Sequence, residues 1–368
     1  MSPDPTADRL ARSVLTRRLN LRPKENVTIE AYPSSLRWAT GFVREARRLG
    51  ARPVLLYEDE ASYWQGVDAG KAALLGAPGE HEWAALEKTD VYIYFWGPED
   101  TARRDRLPER VQSQLTAFNG RWYAVAKKAG VRGARMSIAR VTEQNARNWG
   151  VTPRAWMSEV LAASLRDPAT LRRDAETVRR AFANGRSLRL THPNGTDLTL
   201  ALAKRPVQVT IGEVTPATLK TPFGMMANVP DGCVYVAVDE GTADGTFVAN
   251  RPTARNGAAL RGGRWTFENG RLRTFRFSEG GAKFGAEYRS AAAGKDRPAL
   301  IEVGLDPSVH RAPMLEEAEA GAVTVGVGRN VGFGGKTKGE FLAYLTLGGG
   351  ELSVDGRPLV RRGRVVPR

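Results

Sequence analysis

The apolar residues of this chain change period part-way along, and that change limits what it can fold into. Up to about Asn184 they recur at helical spacing between short apolar runs; after Gly185 they alternate. Over residues 7–19, Leu10, Val14, Leu15 and Leu19 fall on one helix face. A turn at 21–26 leads into a short strand, Val27–Ala31. Ser34 and Ser35 then cap a second helix with Trp38, Phe42, Ala46 and Leu49 on one side, closed by Gly50 before a strand at 51–57. Strand, helix, strand at this spacing is a right-handed crossover between parallel strands. An amphipathic helix before Thr89 and the run 90–97 repeat it, and 153–184 reads as helical. The pattern predicts an α/β N-terminal domain over 1–184, an open and mostly parallel sheet covered by helices.

Past Gly185, Ser187–His192 and Thr196–Leu200 alternate on either side of Pro193-Asn194-Gly195, a hairpin signal. Short strands follow at 233–238, 263–268, 271–277, 298–304, 324–328 and 341–347, with one helix around 279–292. This predicts a β-rich α+β C-terminal domain over 185–368.

Length and composition exclude several classes. A chain of 368 residues is too long for one compact core and fits two domains. No run approaches the roughly 18 apolar residues of a membrane span. The opening Met1–Asp8 has two acids and two prolines where a secretory signal needs a basic start and an apolar block. With a single cysteine, Cys233, there is no internal disulfide, and a reducing cytoplasm is the expected location. The net charge of +15 invites a nucleic-acid reading. The basic residues are nevertheless scattered, without the interleaved aromatics of a stacking platform, and the densest run is Arg357–Arg368. A cationic solvated surface is the expectation, with a polyanion-binding scaffold as the rival. No phosphate loop or dinucleotide fingerprint follows the first strand, so no nucleotide cofactor is expected.

Several segments, in order, carry a family resemblance. They are 21–31, 45–54, Asn194–Thr199, Asn228–Ala237 with Asp244-Gly245-Thr246, Leu300–Pro307, Leu315-Glu316-Glu317, Gly321–Gly328, and Val354-Asp355-Gly356 with Gly363. Together they resemble the aminopeptidase T family of thermophilic metallo-aminopeptidases and its ring-cleaving dioxygenase relatives. The resemblance implies an N-terminal α/β domain, a β-rich C-terminal domain carrying the active-site region, a peptide or small-molecule substrate, and a homodimer.

The family's chemistry sets a demand. Two metal ions about 3.5–4 Å apart, sharing a bridging water, need roughly five protein ligands; in the family these are two glutamates, two histidines and an aspartate. Carried over residue by residue, Glu302 matches the second glutamate. The other ligand positions fall on Cys233, Thr324, Leu342 and Tyr344, and a leucine and a tyrosine do not ligate zinc as an imidazole and a carboxylate do. The family's tyrosine after the first histidine has Val331 or Gly332 in its place. A relocated site of Cys233, Glu302 and His310 would hold at most one divalent ion, zinc, cobalt or manganese. His81 and His192 read as loop histidines, and Cys233 as a small buried hydrophobe rather than a nucleophile. Glu302, Glu317 and Tyr344 are the cleft candidates for catalysis, although Glu316-Glu317 also reads as a solvated acidic turn. The glycine cluster 332–336 reads as a pliable loop. The resulting expectation is an aminopeptidase-family protein with a degenerate two-metal site, with a repurposed non-peptidase member as its rival.

Overall fold

The computed structural model describes residues 4–221, 224–255 and 258–366. The chain forms two compact units, one holding residues up to Pro168 together with Gly212–Pro230, the other Ala169–Ile211 with Asp231 onward. The change of unit at Pro168 precedes the change of period at Gly185, because the helix Arg172–Asn184 packs Ala175, Val178, Ala181 and Phe182 into the core of the second unit.

In the first unit, β1 (Asn26–Ala31), β2 (Arg52–Tyr57), β3 (Val91–Phe95), β4 (Arg132–Met136) and β5 (Met226–Val229) make one sheet in the order β2-β1-β3-β4-β5. Every pairing is parallel. The helix Leu36–Arg48 buries Trp38, Phe42 and Ala46 as the spacing requires, and Phe42 meets Phe95 edge-on at 5.4 Å. Two strands carry no signal of their own in the sequence. Arg-Gly-Ala-Arg-Met at β4 lacks an apolar run, and β5 joins from far along the chain. The return is fixed by Arg18, which is buried and donates to the carbonyls of Gly212 at 2.9 Å, Ser164 at 3.1 Å and Arg166 at 2.7 Å. A buried guanidinium needs such acceptors.

Among the described residues the second unit has two main antiparallel sheets, of eight and five strands, and a two-stranded ribbon. The smaller contains β6 (Cys233–Ala237), β7 (Pro298–Gly304), β8 (Val323–Gly328) and β9 (Leu342–Leu347), in the order β9-β8-β7-β6, with the short strand Gln208–Thr210 beyond β6. Alternation gives each strand two faces. One face carries Val234, Val236, Ile301, Val303, Val323, Val325, Ala343, Leu345 and Leu347, all within the apolar core. That core also takes Leu188, Leu190, Phe247 and Trp265 from the larger sheet. At about 1.5–3 kcal/mol per fully buried aliphatic side chain, this face anchors the sheet. The opposite face is polar.

Several arginines are paired with carboxylates. Arg132 binds Glu25 at 2.6 Å, Arg205 binds Glu240 at 2.6 Å and Arg251 binds Glu319 at 2.6 Å, all largely shielded from solvent. Among the described residues no helix is long and apolar enough to cross a membrane.

Candidate functional site

The polar face follows from register. Residues opposite one another in an antiparallel sheet project to the same side, so Gln208, Tyr235, Glu302, Thr324 and Thr346 form one row across five strands. The next row on that face holds Thr210, Cys233 and Gly304, and the row on the other side holds Leu300, Gly326 and Tyr344. The five residues onto which the resemblance carries the ligand positions, Cys233, Glu302, Thr324, Leu342 and Tyr344, therefore share one face.

A short hydrogen-bonded chain runs along its edge. Asp231 Oδ1 accepts from the Gly232 N–H at 2.8 Å, from Thr210 Oγ1 at 3.2 Å and from Cys233 Sγ at 3.6 Å. Thr210 Oγ1 lies 3.0 Å from Cys233 Sγ, and Cys233 also bonds Glu302. Burial, followed by the charge of Glu317, pushes the Glu302 carboxyl up to about 8 and Asp231 up to about 7. Burial also pushes the Cys233 thiol well above its usual range, with Glu302 and Asp231 adding to the rise. Near neutral pH the thiol keeps its proton and is no nucleophile. A protonated carboxyl, by contrast, both donates and accepts. Tyr235 and Tyr344 are raised by burial too, with Glu302 contributing to both.

Several expected site residues sit in other surroundings. Glu316 and Glu317 are no solvated turn: Glu316 lies buried in the short turn Glu316–Ala318, and burial pushes its carboxyl up to about 8, with Glu317 second. Its side chain faces inward because the turn folds back under β7, where the N–H groups of Leu305 and Asp306 donate to the Ala318 carbonyl. His310 is exposed, whereas Cys233 is buried. Thr324 is spent on Thr346, hydroxyl to hydroxyl at 2.8 Å. His81 lies in the helix Glu80–Glu87 rather than a loop. His192 ends its strand with Nδ1 accepting from the Asn194 N–H at 3.1 Å, a turn role.

The glycine-rich stretch is tied down at both ends. Glu240 Oε1 accepts from Asn330 Nδ2 at 2.9 Å and from the Lys336 N–H at 2.7 Å, while Oε2 pairs with Arg205. Burial alone would raise the Glu240 carboxyl, but these donors outweigh it and hold it at about 2. The anchored loop sets Phe333 edge-on to Tyr235 at 5.6 Å, beside the polar face.

Sequence reasoning passed over Asp231, Tyr235 and Thr346. The available signal was spacing by two, which lines up 231, 233 and 235 on one side and 342, 344 and 346 on another strand.

Asp231, Cys233 and Glu302 are hydrogen-bonded in series, and Thr324 and Tyr344 add hydroxyls to the same face. Among the described residues no three His, Cys, Asp or Glu side chains form a group able to hold a metal ion.

Comparison with known proteins gives a family match over part of the chain and a fold. Residues 169–286 match the family model described as thermophilic metalloprotease (M29), a stretch that includes Asp231–Tyr235 and ends before Glu302. No curated protein matches by sequence. The wild-type AmpT of Thermus thermophilus is similar in structure, with a TM-score of 0.70 and 18% identity over 98% of this chain and 99% of that one. The 2,5-dihydroxypyridine dioxygenase of Pseudomonas putida is similar with a TM-score of 0.62 and 15% identity, over 100% and 99% of the two chains. These two likenesses supply the fold of an α/β unit and a β-rich one, and the matched segment bears out the resemblance read from the motifs: residues 169–286 are similar to the thermophilic metalloprotease (M29) family.

Proposed function

We propose that this protein uses the polar face of β6–β9 to bind a peptide or small polar molecule without a two-metal hydrolytic centre. One observation carries the reading. Where two-metal hydrolysis needs roughly five convergent donors, the face offers a hydrogen-bonded chain of buried acids with raised pKa values, Glu302 to Cys233 to Asp231, beside Tyr235 and Tyr344. Such groups donate and accept hydrogen bonds to a neutral or cationic partner. Glu302, Tyr344 and Glu317 are the residues we assign to ligand contact. The domain from residue 185 to 368 would carry this face, and a single divalent ion is the most that Cys233 and Glu302 would retain.

Elemental analysis of purified protein, paired with a panel of aminoacyl chromogenic substrates with and without zinc, cobalt or manganese, tests this. Metal-free protein without hydrolysis is expected. Two tightly held ions per chain with turnover would defeat the proposal.

A second reading, non-peptidase turnover of a small molecule on the same face, gains support from the dioxygenase that shares the fold. We also propose a homodimer, for which exposed Val54 and Tyr57 on the sheet-edge strand β2 supply apolar surface. Light scattering would return the mass of one chain if that is mistaken.

A further inference from the structure

The first unit contains a second row of chemistry-bearing residues that the family match leaves unused. Its strand order, β2-β1-β3-β4-β5, sends the chain from β1 to one side and then back across to β3 on the other. In open parallel sheets ligands bind outside the carboxyl ends of the strands at such a reversal. Glu30, Tyr94, Arg135 and Asn228 are each the penultimate residue of their strands, and parallel register aligns them in one row across the reversal. Glu30, Tyr94 and Arg135 each keep part of their surface open.

The charge around Tyr94 is unusual. Arg135, Arg104 and Arg140 all act on it electrostatically, and Glu30 is the carboxylate on its other side. Arg135 makes no ion pair among the described residues. It donates to the Met226 carbonyl at 3.4 Å and to the Tyr123 hydroxyl, and its guanidinium lies 5.8 Å from the Tyr123 ring centre. A guanidinium has five N–H donors, and none of the Arg135 nitrogens is sealed off without a partner. Its Nε, which has no hydrogen-bond partner among the described residues, therefore keeps accessible surface. Arg140 lies 4.1 Å over the Trp96 ring, and Trp96 meets Tyr94 edge-on at 5.2 Å, so an aromatic wall stands beside the cations. Glu30 is held by the Tyr92 hydroxyl.

We propose that this row is a binding site for a small organic carboxylate. The Arg135 fork takes the carboxylate, which is the geometry a guanidinium matches best. Tyr94 and Glu30 hydrogen-bond a polar group at the ligand's other end, and Trp96 and Tyr123 cover its uncharged body. This site lies wholly within the first unit and does not depend on the chemistry of β6–β9.

Benzoate titration of the full chain, followed by calorimetry and thermal shift at constant ionic strength, tests the proposal, with inorganic phosphate as the competing probe. Benzoate is expected to bind with a millimolar Kd and raise the Tm. Arg135→Gln should weaken it about tenfold or more, the size of one lost charge-assisted fork. Tyr94→Phe removes a single hydroxyl and should weaken it several-fold; it also serves if Arg135→Gln fails to fold. Arg189→Gln, a surface charge change in the second unit, should leave binding unchanged. Four results would overturn the site: no benzoate binding up to about 10 mM, binding unaltered in both Arg135→Gln and Tyr94→Phe, an equal loss in Arg189→Gln, or phosphate bound as tightly as benzoate.

Discussion

Each unit places a glutamate among tyrosines at the middle of a sheet, and the two differ in what surrounds it. Glu30 shares its row with Tyr94 and Arg135; Arg104 and Arg140 act on Tyr94, while Glu58 and Glu82 act on Glu30 itself. Glu302 shares its row with Tyr235 and Thr324, and its neighbours Asp231 and Glu317 are acids, with Glu316 beside Glu317. Burial raises both carboxyls, to about 7 and about 8. What each site welcomes is then decided by the rest of the shell, anions in the first unit and neutral or cationic groups in the second. A buried carboxyl alone says little about a ligand; its neighbours set the sign.

The sharpest break between regions is that between the two faces of the β6–β9 sheet. Val325 lies fully buried on the core side, next in sequence to Thr324 on the polar side. Val325→Asp puts an unpaired carboxylate in the apolar core, a cost of several kcal/mol and a large share of a typical domain's stability. We expect the second unit to lose its cooperative melt by circular dichroism. A native melt for this variant would mean that the faces are not as distinct as the register makes them.

The pH response sharpens the comparison of the two glutamates. The folded-state pKa of Glu30, about 7, lies above its ordinary value of 4.5, chiefly through burial, with Tyr92 partly offsetting it. The folded protein therefore holds this proton more tightly than the unfolded chain. The associated stability is fully present below about 4.5 and falls as pH rises to about 7, by at most about 3 kcal/mol. Glu30→Gln has no proton to lose, so its stability should hold up better than that of the wild type between pH 5 and 7. Parallel stability–pH curves for the two proteins would refute the burial assigned to Glu30.

A smaller effect concerns the loop beside Tyr235. Glu240→Ala removes the acceptor shared by Asn330, the Lys336 N–H and Arg205. Global stability should drop modestly, because part of Glu240 is open to solvent. Tryptic cleavage at Lys336 or Lys338 should quicken several-fold, and unchanged cleavage would show that the loop is held by something else.

The sequence made some of this legible. Helix Leu36–Arg48, the hairpin at 187–201 and the strands around Cys233, Glu302, Thr324 and Tyr344 all follow from periods of 3.6 and 2, which depend only on neighbours in sequence. The strand Arg132–Met136 did not show, since arginines at 132 and 135 disguise a buried strand whose interior contacts come through Gly133, Ala134 and Met136. Strand Met226–Val229 was hidden for a different reason: its partner β4 lies far away in sequence, and Arg18 reaching Gly212 is what brings it home. At the site, the face was readable from the ligand positions, but the burial of Glu316 was not. Two adjacent glutamates look solvated until the fold tucks one of them beneath β7.

The smallest effect asks whether the polar face exists for stability at all. Thr324 and Thr346 are buried and hydrogen-bond each other. Thr324→Val alone strands the Thr346 hydroxyl and should cost about 1–3 kcal/mol, the penalty for a buried polar group left without a partner. Thr324→Val with Thr346→Val removes both members at nearly constant shape and should return stability close to wild type. Denaturant melts of the two singles and the double close the cycle. If the double variant is as unstable as the sum of the singles, the hydroxyl pair supports the fold through other contacts, and the row Tyr235–Glu302–Thr324 would be built for packing. If the double variant recovers, hydroxyls at these two strand positions add nothing to folding that valine cannot, and their presence on the face opposite the core is explained by what the face binds.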